Sequence, residues 1–302
     1  MPKRIDFRKE RRIQGRLLTL GTEKLEALAQ ALAREQNIDL TARLHELSTQ
    51  RALEQKLLAN RLRESVVPLF IGNDRGYPER IGSCVLARLD AEFFAFTAAH
   101  VIRASSGAPL FAPSEGCGGK LLPLPPCTAH LSPSDCAEDL DVAVLPLAPD
   151  RLGCFQRRVF LSGEIDQRDQ PDEHDRSAFY FVMGYSASRT QVRVNRTQRR
   201  IHQRSFHCRT NPICAAEYVQ ERLSQADHIA LDFDHEEIVI GKTPVTPPKL
   251  QGVSGGGIFH ICRETMLGPL VAIATQNRRG LGIIVGTRIK HFLQMVREPK
   301  VL

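Results

Sequence analysis

Gly252-Val253-Ser254-Gly255-Gly256 lies between a proline-rich stretch, Thr243-Pro244-Val245-Thr246-Pro247-Pro248-Lys249-Leu250, and a run that begins Gly257-Ile258-Phe259-His260-Ile261. Proline has no N–H to give a sheet, so the stretch before the serine does not read as a central strand, whereas the run after it does. A G-x-S-x-G serine on a strand-to-helix elbow needs the reverse: a strand before, a helix after, then an acid and a histidine later in the chain. No Asp follows Ser254, which leaves Glu264 and His291 for those roles. The elbow reading fails on all three counts, and the partners of Ser254 have to be sought upstream.

Two upstream segments supply them. Thr97-Ala98-Ala99-His100 closes one apolar run, and Asp141-Val142-Ala143-Val144-Leu145 opens another. A serine hydroxyl is a weak nucleophile at neutral pH and needs an imidazole to take its proton. The imidazole needs a carboxylate to fix its tautomer and stabilise its charged form. Glycines around Ser254 let the backbone turn its N–H groups toward a developing oxyanion. Asp135 and Asp139 compete with Asp141, but only Asp141 leads directly into an apolar run.

In the order His100, Asp141, Ser254, the three motifs resemble those of the chymotrypsin-like (trypsin-fold) serine peptidases, especially bacterial members without zymogen apparatus. The resemblance covers roughly residues 66 to 302. It implies a mainly β fold, a double antiparallel β-barrel of the chymotrypsin type, here preceded by an N-terminal helical segment over residues 1–65. The barrels would fall at about 66–160 and 175–302, with His100 and Asp141 in the first and Ser254 in the second. The resemblance also implies an oxyanion hole from the N–H groups of Gly252 and Ser254, and a polypeptide substrate. A strand through Ala274, Thr275 and Gln276 would pair with the substrate backbone. It implies no cofactor and no metal. Departures are informative. Val253 stands where digestive members carry the Asp that pairs with a freshly cut N-terminus, so that activation route is absent. Val101 replaces a common disulfide cysteine. The pocket-base position falls on Pro248, which does not support strict Arg/Lys preference. Asn277, Arg278 and Arg279 follow the substrate strand, where they either favour acidic side chains or form a turn.

The remaining sequence fits this outline. Leu25, Leu28 and Leu32, then Leu44, Leu47, Leu53, Leu57, Leu58 and Leu62, recur at helical spacing. With Thr22 and Thr41 as caps and 37–40 as the connection, they predict a helical hairpin. Short connections of this kind also occur in helix-turn-helix units, but no recognition-helix signature accompanies this one. From Val66 onward, short apolar runs broken by Gly, Pro and Asp predict many strands, with Gly163 to Ser177 as a surface loop and a last helix over Thr287 to Glu298. With no zymogen chemistry to supply control, residues 1–65 are expected to dock a regulatory protein partner.

At 302 residues, 42% hydrophobic and 25% charged, the chain can build a proper core. No apolar run is long enough to span a bilayer. The basic N-terminus is not followed by an apolar stretch and does not read as a secretory signal, so a cytoplasmic protein with reduced thiols is expected. Cys117, Cys127, His130 and Cys136 lie close together but lack zinc-type spacing, and loop cysteines are the simpler account. The net charge of +7 is concentrated, with seven Lys/Arg in residues 3–16 and seven Arg from Arg189 to Arg209. Solvated faces explain such density; the alternative is an idle peptidase-fold protein that binds nucleic acid or another protein through these segments.

Overall fold

Apolar runs without clean alternation are expected of strands buried on both faces, and the central strands here are of that kind. The computed structural model describes residues 40–72, 77–114, 120–124, 129–132, 140–149, 152, 155, 157–165, 178–186, 205–233, 238–240, 243–245, 252–278 and 281–298. Packing divides the chain into two units, Met1–Lys56 and Leu57–Leu302. The division falls inside helix α1 (Leu40–Leu62), earlier than the boundary at 65 read from composition. The first predicted helix of the hairpin lies outside the described residues. Leu53 and Leu57 are exposed, while Leu58, Ala59 and Leu62 are buried in the second unit's core, so the apolar stripe is narrower than leucine spacing suggests.

The second unit is mainly β, with two antiparallel sheets. The first holds β1 (Val66–Gly72), β2 (Pro78–Leu89), β3 (Glu92–Thr97), β4 (Phe111–Ser114), β5 (Lys120–Pro123), β6 (His130–Leu131) and β7 (Ala143–Leu147), in the order β5-β4-β1-β2-β3-β7-β6. The second holds β8 (Ala178–Gly184), β9 (Phe206–Thr210), β10 (His228–Asp232), β13 (Gly257–Cys262), β14 (Leu270–Arg278) and β15 (Ile283–Arg288), in the order β10-β15-β14-β13-β8-β9. A separate hairpin pairs β11 (Ile238–Ile240) with β12 (Thr243–Val245), and β12 opens the stretch whose prolines argued against a central strand. Each large sheet repeats one pairing plan. Its first strand lies between its second and fourth, its third pairs with its last, and its fourth pairs with its fifth. The edges of the second sheet also meet, through a Pro212–Leu231 bridge and the bonds Asp232 N–H to Asn211 O (2.9 Å) and Ile213 N–H to Ala230 O (3.0 Å).

The period-2 geometry of each strand splits its side chains between two cores. In β8, Tyr180 and Val182 pack within the second sheet, while Phe179, Phe181 and Met183 enter the layer it shares with the first. In β2, Cys84 and Leu86 line the first sheet's own core, while Val85 and Ala87 face the shared layer. A short helix, α3 (Ala215–Gln220), lies between β9 and β10, and the last helix, α4 (Ile289–Arg297), closes that layer with Ile289, Phe292 and Leu293 on one stripe, as its spacing predicts. Its Phe292 ring lies 5.5 Å from Phe96 of β3, tying the end of the chain to the first sheet. Part of the predicted 163–177 loop is not loop-like. Ile165 is buried and bridges Leu270, and Leu270 N–H donates to Glu164 O at 2.6 Å. Among the described residues, no helix is long and apolar enough to cross a membrane.

Candidate active site

Register brings His100 to Asp141. Thr97 of β3 pairs with Ala143 of β7, so the residues after Thr97 and before Ala143 leave the sheet at the same end. The short helix α2 (Ala99–Arg103) starts there, and its buried Ala99 and Val101 turn His100 outward. The His100 backbone N–H donates to Asp141 Oδ1 at 2.8 Å, and its ring Nδ1 is bonded to Asp141 Oδ2. A carboxylate only accepts, so Nδ1 carries a proton, and in the neutral ring Nε2 then keeps its lone pair. The Asp141 side chain is 16% exposed against 48% for His100, which leaves the carboxylate sheltered and the ring open.

The segment carrying Asp141 is itself clamped. Val142 N–H donates to Ser132 Oγ at 3.1 Å, and Ser132 N–H to Val142 O at 2.9 Å. Arg103, at the far end of α2, donates to Ser132 O. The helix bearing His100 and the strand entry bearing Asp141 are thus joined at two places.

Ser254 sits half-buried in a turn over residues 252–255, against β2 of the first sheet. Ser83 N–H donates to Ser254 O at 2.8 Å and Ser83 Oγ to Gly252 O at 2.8 Å. Thr97 Oγ1, three residues before His100, donates to Ser83 O at 2.7 Å. One residue of β2 therefore bonds both the histidine segment and the serine turn. No hydrogen bond joins His100 to Ser254. The turn uses Gly255 N–H on Ala274 O (2.7 Å) and Gly256 N–H on Val253 O (2.8 Å). Among the described residues, the N–H groups of Gly252 and Ser254 donate to nothing.

Gly252 and Gly255 have φ of +89° and +84°, and Gly255 is also in close contact with its surroundings. A Cβ on Gly255 would lie 1.9 Å from Ser83 O and 2.2 Å from Thr97 Oγ1. Strained backbone and overpacking together make Gly255→Ala cost about 2–6 kcal/mol. A urea-unfolding loss below about 1 kcal/mol would contradict this packing.

Of the predicted substrate strand, Ala274 is not an open edge, because its C=O accepts from Gly255 N–H and its N–H donates to Gly256 O. β13 pairs with β14 as far as Gly257 opposite Ile273, and Ala274 N–H then donates to Gly256 O at 2.8 Å. Beyond Ala274, β14 pairs with β15 alone among the described strands. A bulge between Ala274 and Gln276 sets Thr275 apart. Thr275 is buried and its hydroxyl reaches Val285 O at 3.4 Å, so its side chain is not offered to a ligand, while Gln276 is partly exposed. Arg278 is engaged by Glu221, donating to its backbone O at 2.8 Å and to its carboxylate at 3.3 Å. Pro248 and Arg279 lie outside the described residues.

Other candidates go elsewhere. His291 bonds Asp227 at 2.9 Å, and burial pushes its pKa below the ordinary histidine value. Glu264 is exposed on the turn after β13. The Cys84 thiol, beside Ser83, is pushed up to about 12 by burial and is no nucleophile. Hydrogen bonds from Thr265 lower the Cys262 thiol, but it lies at the opposite end of β13 from Ser254. Of the clustered cysteines and His130, only His130 is described, in β6. Among the described residues, no group of His, Cys, Asp and Glu is arranged to hold a metal. Sequence reading missed Ser83 and two groups next to it: Tyr185, whose N–H donates to Ser83 Oγ at 3.0 Å, and Arg80, which donates to Ser186 O at 2.6 Å. Their signal was slight: a Gly82-Ser83 pair interrupting an apolar run, and a charge at that run's start. No protein-family model matches the chain, and no curated protein matches it.

Proposed function

We propose that the chain is a serine endopeptidase, with Ser254 as nucleophile, His100 as general base and Asp141 as the group that orients it. The observation that carries this reading is the double grip of one carboxylate on His100, through the ring and through the backbone N–H. A structural histidine needs no such fixed tautomer; a proton acceptor does. The repeated pairing plan of the two sheets supports the double-barrel expectation, with His100 and Asp141 on the first sheet and Ser254 at the second.

Ser254 Oγ attacks the scissile carbonyl carbon while its proton passes to His100 Nε2, forming the C–O bond and an oxyanion. The N–H groups of Gly252 and Ser254 receive that oxyanion. Collapse breaks the C–N bond as His100 returns the proton to the leaving amine. Water, deprotonated by the same Nε2, then releases the acid and restores Ser254. The Ser–His contact closes on substrate binding, as happens in other resting sites. The edge of β14 beyond Ala274, whose own N–H and C=O are taken by the serine turn, would hold the substrate as an added strand.

A fluorophosphonate probe tests the reading. Mass spectrometry should place the adduct on Ser254 in native protein, and not in urea-unfolded protein. Absence of any adduct in the native protein would overturn the proposal. Thiol labelling at Cys262 is a separate reaction, distinguishable by its peptide. The nucleic-acid alternative rests on residues 3–16 and 189–204, outside the described residues. The described Arg209 lies over the Phe179 ring at 4.0 Å.

A further inference from the structure

We infer that the Ser83 hydroxyl is the positioning group that sets the oxyanion-binding turn, so that the first sheet controls donors carried by the second. This inference rests on the peptidase reading above. Two N–H groups, those of Gly252 and Ser254, would receive the oxyanion, and the peptide plane joining Gly252 to Val253 lies between them. Three planes in this turn have fixed orientations. The Val253–Ser254 plane is held by Gly256 N–H on Val253 O (2.8 Å), and the Ser254–Gly255 plane by Ser83 N–H on Ser254 O (2.8 Å). The Gly252–Val253 plane is held by a side chain, Ser83 Oγ on Gly252 O at 2.8 Å. Gly252 has φ of +89°, and a glycine there leaves that plane free to rotate if its carbonyl is released.

The Ser83 hydroxyl has no freedom to point elsewhere. Tyr185 N–H donates to its oxygen at 3.0 Å, which directs the single hydroxyl hydrogen to Gly252 O. The residue is fully buried, so water cannot take over either bond. Tyr185 is fixed in turn. The Arg80 guanidinium lies 5.9 Å from its ring centre and donates to Ser186 O at 2.6 Å. Burial lowers the Arg80 pKa to about 10, which leaves it charged at neutral pH. Val253 contributes no charge to this arrangement and is buried in the second sheet's core. The turn is locked by a neutral hydroxyl relay that is complete once the two sheets have packed. No proteolytic event is needed to form it.

Ser83→Ala removes the donor to Gly252 O and the acceptor for Tyr185 N–H, and leaves the backbone bonds intact. Outright loss of an oxyanion donor costs about 100–1000-fold in rate. Misplacing one is expected to lower kcat and the fluorophosphonate labelling rate by about 10–100-fold. KM for a peptide substrate should stay within about threefold. Affinity for a peptide boronic acid, which mimics the tetrahedral state, should fall in step with kcat. A folded Ser83→Ala protein that labels at the wild-type rate overturns the inference. So does a variant whose substrate and boronate affinities weaken equally, because that is general damage to the cleft. If Ser83→Ala does not fold, Ser83→Cys is read by the same criteria, since the thiol keeps the shape and bonds weakly. Wild-type protein that does not label at Ser254 overturns the peptidase reading and this inference together. Labelled wild type with an unaffected Ser83 variant overturns the inference alone.

Discussion

Ser254→Ala is expected to lower kcat for peptide cleavage by about 10⁶-fold and to abolish fluorophosphonate labelling at this turn. The size follows from the removal of the attacking atom. His100 and Asp141 then have nothing to activate, and the residual rate comes from binding and the N–H groups alone. The fold should be indifferent. Among the described residues, the turn is held through Ser254 O and not through its hydroxyl, and alanine retains that carbonyl. The urea midpoint should therefore stay where it is, with a stability change within about 0.5 kcal/mol. The informative comparison is with Gly255→Ala, one residue on, where stability collapses for steric reasons. Labelling that survives Ser254→Ala, mapped to another hydroxyl, would remove Ser254 from the mechanism.

Much of the β unit was legible because its strands are short, apolar and bounded by Gly, Pro or Asp. β1, β2, β3, β8, β10 and β13 lie in runs of this kind, and β13 begins at Gly257, where its run opens. β4, β5 and β6 escaped notice because they are only two to four residues long, in a stretch rich in proline and cysteine. β9 escaped because Phe206-His207-Cys208-Arg209-Thr210 has no apolar pattern. Its polar members are accommodated by rings: His207 stacks on Phe181 at 5.7 Å, and Arg209 lies over Phe179. No window of sequence announces such tertiary compensation. The same limit applies to α1, where leucine spacing gave a face but not which half of it meets the core.

At the candidate site, local motifs singled out His100, Asp141 and Ser254 because each proposed role calls for a particular residue type in a particular setting. The strand register that joins His100 to Asp141 could not be read from them, since it depends on β3 and β7 pairing across more than forty residues of chain. Ser83 was illegible for a related reason. A serine in an apolar strand has no signature for the carbonyl it will meet on a turn that lies far along the chain. For the strand proposed to hold a substrate, composition did not show that Ala274 is tied to the serine turn or that Thr275 is buried. The bulge at Thr275 turns its hydroxyl inward, an outcome fixed by pairing with β15 and not by composition.

Asp141→Asn should lower kcat by about 10⁴-fold while leaving the molecule folded. The cause lies in the two bonds that Asp141 makes. Its Oδ1 accepts from the His100 backbone N–H, a donor that cannot change. In the variant the amide oxygen keeps that bond, so the amide NH₂ is placed against His100 Nδ1. An NH₂ group only donates, and Nδ1 must then accept. The imidazole proton moves to Nε2, the atom that has to receive the proton of Ser254. The ring keeps its place and loses its function. ¹⁵N chemical shifts of the His100 imidazole should report the tautomer change directly. Fluorophosphonate labelling should slow in parallel with kcat, while KM is nearly unchanged. Activity within about tenfold of wild type, or an unaltered tautomer, would show that Asp141 does not orient the base. Asp135 or Asp139 would then be the carboxylate to test in its place.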